Sequence, residues 1–207
     1  MGNPSRVRAD QGGRRMIYTS VLAAVVSALA AETIDNTSKQ AWQKLYRPGY
    51  QDGLDLATLI RSGGSDGIQR TDADCWVFAR LHSQLKPRHW DALVARYSTH
   101  KGRKVDSIGK LCPLIASHAP KLFVQKAVTV WAIPQLKGMD GKRSTDMIIL
   151  PARFYDMAQW DDQGLNRSTY WRWRKQIEDR LDEMVKEALN AAGELLRNEG
   201  VILNEAA

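Results

Sequence analysis

Residues 164 to 177 read Gly-Leu-Asn-Arg-Ser-Thr-Tyr-Trp-Arg-Trp-Arg-Lys-Gln-Ile. A glycine supplies the positive φ that a tight turn between two helices requires. Leu165 is a buried turn residue by type, and Asn166 or Ser168 offers a side-chain oxygen to an orphan N–H of the next helix. Arg167, Ser168, Thr169 and Arg172 then project from that helix's first turns. The stretch reads as the turn and second helix of a helix-turn-helix, with Pro151 to Trp160 as the first helix. A polar turn before a basic helix is also what an ordinary solvated helix face looks like, so the motif is weighed with the rest of the chain.

Outward from this run nearly everything reads helical. The last helix extends from about Ser168 to Asn198 and stops before Gly200. Ile177, Leu181, Met184, Ala188, Ala192 and Leu195 give it an apolar stripe, widened by Val185 and Leu189. That stripe suits packing on its own domain or a homodimer seam. Pro120 opens and Pro134 closes a helix over Lys121 to Ile133, with Val124, Ala127, Val128 and Trp131 aligned. Val105 to Ile115 suits a helix that Pro113 shortens, and Ser98 to Gly102 a turn. Pro87 opens a helix burying Trp90, Leu93, Val94 and Tyr97. Asp72 or Asp74 caps a helix running to Leu85, with Val77, Phe78 and Leu81 inward. A further helix is expected over Met16 to Leu45. Met147 to Leu150 is a strand or a buried loop. The expected fold is all-α: a multi-helix bundle containing a helix-turn-helix and a long C-terminal helix. Residues 1–15 read as a flexible basic arm and 16–62 as an N-terminal helical region. Residues 68–200 read as a helical DNA-binding domain, its helix-turn-helix at 151–180.

The 207-residue chain carries a net charge of +7, which points to a polyanionic partner. Its bases fall in groups: Arg6, Arg8, Arg14 and Arg15; Lys101, Arg103, Lys104 and Lys110; Lys137, Lys142 and Arg143; Arg167, Arg172, Arg174 and Lys175. Acids gather on the later turns of the last helix. Two cysteines, Cys75 and Cys112, make no disulfide framework and imply a reducing, cytoplasmic setting. Cys75, His82 and His89 fall seven apart, but Pro87 breaks any single helix carrying all three, and no metal is expected. Arg14-Arg15 ahead of the apolar run Ile17 to Ala31 has the outline of a secretory signal. Ile17, Val21, Leu22, Val25 and Leu29 also recur as one core-helix face, and that reading is preferred, with no membrane partner expected.

Gly138 to Thr145 imitates a phosphate-binding loop, yet Leu136 stands where its first glycine belongs. A nucleotide site is therefore not expected, and Lys142 and Arg143 are left as phosphate contacts or solvated loop residues. Neither a nucleophile-elbow signature nor a paired-carboxylate arrangement is evident, so no catalytic residue, cofactor or enzymatic activity is expected. Four tryptophans, Trp42, Trp76, Trp90 and Trp131, sit at core positions. Trp171 and Trp173 cannot share a helix face. With Tyr170 and Trp173 turned inward beside Ile177, Trp171 points outward, toward a sugar-phosphate wall, a thymine methyl or a protein partner.

The 164–177 run resembles the Gly-Val-Ser-Arg-Ser-Thr-Val-type run of prokaryotic DNA-binding helix-turn-helix proteins. In those, a small residue sits four positions before the turn glycine. Here Trp160 stands there, and the fit is restored if Asp161 and Asp162 lengthen the turn. The segment Leu85-Lys-Pro-Arg-His-Trp-Asp-Ala-Leu-Val-Ala-Arg-Tyr97 resembles one found ahead of a helix-turn-helix in sigma-factor region 4 and in phage late-gene antiterminators of the Q type. The resemblance implies a sequence-specific transcription regulator of phage type, binding double-stranded DNA and acting in antitermination on RNA polymerase. It implies DNA contacts from Arg167, Ser168, Thr169, Arg172 and Lys175. Trp171 from the outward face, and Arg103, Lys104, Lys142 and Arg143 from the basic groups, complete the candidate set. The alternatives are a helical protein-interaction module and a small terminase-like DNA-packaging subunit.

Overall fold

A computed structural model describes residues 18–31, 70–135, 148–161 and 163–202. Among them are six α-helices and no strand. The helices are α1 (Val21–Ala31), α2 (Arg70–Gln84), α3 (Pro87–Tyr97), α4 (Lys101–Leu111), α5 (Lys121–Ala132) and α6 (Arg167–Asn198). They fall into two compact units, 1–85 with 189–207, and 86–188.

In the first unit, α1 packs on α2. Ser20 starts α1 by accepting the Ala23 N–H on its Oγ at 3.1 Å. Ala24, Val25, Ala28 and Leu29 then form the three- and four-residue line of its buried face. Opposite them α2 buries Val77, Phe78 and Leu81 as the spacing requires. Asp74 is not a cap: α2 begins four residues earlier, and the buried Asp74 carboxylate accepts the Tyr18 hydroxyl at 2.7 Å. The end of α6 completes the unit. Gly200 takes φ +69°, the Val201 N–H bonds the Leu196 carbonyl at 2.9 Å, and the Gly200 N–H bonds that of Arg197 at 3.0 Å. This double bond pattern satisfies carbonyls that the helix end would orphan, and Val201 is buried, as is Leu196.

The second unit holds α3, α4, α5 and α6 up to Ala188. Pro87 opens α3 and Leu93 and Val94 are buried, with Trp90 and Tyr97 only half-buried. The turn before α4 is shorter than the sequence suggests. His100 accepts the Arg103 N–H on Nδ1 at 3.3 Å, which starts α4 at Lys101. Pro113 ends it, and Cys112–Leu114 continue as a single 3-10 turn.

How α3 and α4 leave that turn follows from one hydrogen bond. The Ser107 hydroxyl donates to buried Asp91 at 3.0 Å. Each residue lies eight positions from Thr99, or about 12 Å of helix. Arms diverging at a right angle would stand about 17 Å apart at those points by the same rise. Two short side chains cannot bridge that, so α3 and α4 form an antiparallel hairpin rather than a crossed pair.

Residues 151–160 do not form the expected α-helix. They fold as two 3-10 turns, Ala152–Tyr155 and Met157–Gln159. The cause is Asp156, extended at φ −87° and ψ 105°, whose carboxylate accepts the Ala158 N–H at 3.1 Å. An Asp bonding its own neighbouring backbone competes with helix. Residues 148–150 are irregular rather than a strand, with Ile149 exposed. The basic arm, the segment Ser62–Gly67 and the loop Gly138–Ser144 lie outside the described residues. No helix among the described residues is long and apolar enough to cross a membrane.

Candidate nucleic-acid interface

The start of α6 is built by aromatic packing. Trp160, which replaces the small residue of the motif, is 1% exposed and stands edge-on to Phe123, ring centroids 5.2 Å apart. Phe123 also stacks with Tyr170 at 5.7 Å and meets Trp173 edge-on at 5.6 Å. A side chain of tryptophan size takes the place where the motif's two helices would touch, and the cluster anchors the helix by filling rather than by close approach. The Trp160 indole N–H donates to the Phe154 carbonyl at 2.7 Å, and Lys126 donates to the Gln159 carbonyl at 2.7 Å.

The turn itself is held by a residue whose role the sequence did not disclose. The Tyr170 hydroxyl accepts the Leu165 N–H at 2.9 Å and donates to Asp161 at 3.2 Å. Its ring is buried, so only its tip reaches the turn. Gly164 takes φ +65°, as expected. Of the two candidate caps it is Asn166 that serves, accepting the Ser168 N–H at 3.2 Å.

At 100° per residue, burial of Tyr170, Ile177 and Leu181 places Ser168, Arg172 and Lys175 along the opposite crest of α6. All three are exposed, as are Arg167 and Trp171, while Thr169 is half-buried. Trp171 is 57% exposed, whereas Trp76, Trp131 and Trp160 are buried.

The charge order at the start of α6 is the reverse of what its dipole favours. The first turn holds no acid and starts with Arg167, and the acids begin at Glu178. Cations near a helix N-terminus each cost a few tenths of a kcal/mol or more, because the orphan N–H groups there are already positive. The two supporting pairs are Arg174–Glu178 and Lys175–Asp179, at 2.7 and 2.6 Å. Both run base-to-acid, the weaker order at this spacing. An arrangement that costs helix stability yet leaves its cations outward is one an anion would relieve. Arg174 is less available, its guanidinium lying over Trp160 at 5.6 Å from the ring centre. Asp179 holds the Lys175 ammonium pKa above the ordinary lysine value. That exposed pair is weak enough for a phosphate to replace the carboxylate.

The mid-chain cations are divided. Arg103 is exposed on the first turn of α4. Lys104 is placed differently from the sequence expectation: its ammonium donates to the Arg96 and Ser98 carbonyls at 3.2 and 3.3 Å. Burial, reinforced by the Arg96 guanidinium, lowers its pKa to about 8. It closes the end of α3. Lys142 and Arg143 lie outside the described residues. No group of three or more His, Cys, Asp or Glu placed to hold a metal occurs among the described residues. The α6 stripe is covered by the chain itself, Ile177, Leu181, Val185, Ala188, Ala192 and Leu196 being buried and Met184, Leu189 and Leu195 half-buried.

Comparison of the chain with protein-family models, with curated proteins and with solved structures gives no match.

Proposed function

We propose that this protein is a DNA-binding transcription regulator whose reading element is the first nine residues of α6. The observation that carries it is the outward crest Ser168–Arg172–Lys175, with Arg167 also exposed, at the positive end of a helix that has no acid in its first turn. Such a helix end offers phosphates both cations and dipole, and the Arg172 guanidinium has the fork geometry to bond a phosphate twice. Duplex DNA is the preferred ligand, the helix lying in the major groove. Sequence specificity, phage type and antitermination on RNA polymerase rest on the resemblances of the 85–97 and 164–177 segments.

Without a first helix at 151–160, α6 does not belong to an ordinary helix-turn-helix. The aromatic cluster around Phe123 supplies its support instead. The exposed Trp171 favours a second reading, a protein-interaction module.

Retention of fragmented genomic DNA at two salt concentrations separates the two. With Arg167, Arg172 and Lys175 each neutralising one phosphate, log K falls with log salt at a slope of about −3. Arg172→Ala then reduces the slope by about 1. A salt-insensitive complex, or one indifferent to Arg172→Ala, removes the DNA reading.

A further inference from the structure

Trp171 is exposed, unlike the other tryptophans among the described residues. It is 57% exposed, one helical turn after Arg167 and one before Lys175, while Tyr170 and Trp173 on either side fill the aromatic cluster. The exposed part of its indole contributes no burial to the fold. The cations one turn away on each side make its neighbourhood attractive to a polyanion.

The chemistry of the indole narrows what it meets there. Its only hydrogen-bonding group is one N–H donor. A base within a duplex shows the grooves a polar edge, and its neighbours cover its flat faces. Against such an edge an indole matches little apart from a thymine methyl. An unpaired base offers the whole of a flat face, and an aromatic side chain beside a cationic track is the platform on which unpaired bases stack. The position around the helix agrees. Trp171 lies off the crest line, 60° from Ser168 and 40° from Lys175 at 100° per residue. A groove-reading side chain belongs on the crest, and a platform beside it meets a base swung clear of the helix.

We propose that Trp171 is a base-stacking residue, so that the preferred ligand of this site is a duplex carrying a locally unpaired base. The inference rests on the DNA reading above and refines it: the Ser168–Arg172–Lys175 crest holds the paired segment and Trp171 takes the base that has left it.

The test uses the full chain and two labelled probes of the same sequence, one fully paired and one with a single unpaired base. Affinity is measured at several salt concentrations for the wild type, Trp171→Ala, Trp171→Phe and Arg172→Ala. The wild type is expected to prefer the bulged probe by about tenfold, the scale of one stacked base. Trp171→Ala should abolish that preference, Trp171→Phe should keep most of it, and neither should change the salt slope. Arg172→Ala should lower the slope on both probes and leave the preference intact. Equal weakening of both probes by Trp171→Ala, no weakening at all, or no preference in the wild type overturns the stacking proposal. In those cases a persisting salt slope shows that the DNA reading survives. A flat salt dependence on both probes removes the DNA reading and this inference with it.

Discussion

Replacing Lys104 by methionine tests the hairpin and the reassignment of this residue together. The ammonium closes the C-terminal end of α3 on the Arg96 and Ser98 carbonyls, and its folded-state pKa is about 8 against an ordinary value of 10.5. Between those values the unfolded chain binds more protons than the folded one, so stability rises with pH across this window. At 1.36 kcal/mol per unit, the interval bounds the rise at about 3 kcal/mol. The two carbonyls favour the charged form and partial exposure screens it, so a rise of about 1–2 kcal/mol is the expected outcome on that scale. Methionine keeps the apolar stem and removes the titration. Urea unfolding followed by tryptophan fluorescence, at pH 7, 8.5 and 10, gives the wild-type minus Lys104→Met difference. That difference cancels the other lysines and the tyrosines. It should move in favour of the wild type as pH rises from about 8 to above 10. Parallel curves over the whole range would show that the ammonium does not lie where the hydrogen bonds place it. In DNA binding the same variant should leave the salt slope unchanged, since this charge serves the fold.

Three further outcomes follow from single contacts. Tyr18→Phe leaves the buried Asp74 carboxylate without its 2.7 Å donor and should destabilise the first unit by about 1–3 kcal/mol in urea unfolding. Gly164→Ala places a Cβ at φ +65° and should cost about 1–2 kcal/mol, while Gly164→Asn, which tolerates that region better, should cost less in the same thermal-melt comparison. Ser107→Ala removes the hydroxyl that lowers the pKa of Asp91, a carboxyl that burial already raises. The variant should lose about 1–3 kcal/mol near neutral pH. Its deficit should shrink toward acid pH, where the carboxyl is neutral, because a raised folded-state pKa contributes stability at low pH that is lost as pH rises. Urea midpoints at pH 4 and 7 measure both.

The helical class, the limits of α5 and α6, the opening of α3 at Pro87 and the outward crest of α6 were legible in the sequence. Each follows from period, proline and glycine, which act over a few residues and carry their meaning wherever the chain goes. The inward Tyr170 and outward Trp171 followed from the same arithmetic. Residues 151–160 were misread because their apolar content suits a helix, while Asp156 bonds its own backbone and stops one; local pattern does not say which competitor wins. The contacts of Asp74 and Lys104 were not legible for another reason. Asp74 meets Tyr18, 56 positions away, and Lys104 folds back on carbonyls that exist in the right place only because α3 and α4 run antiparallel. The sequence by itself determined where α3, α5 and α6 form and which side of α6 is cationic. Tertiary structure alone decided which charged groups are used up inside the protein and which remain for a partner, because that depends on contacts between segments whose separation in the chain says nothing of their distance in space.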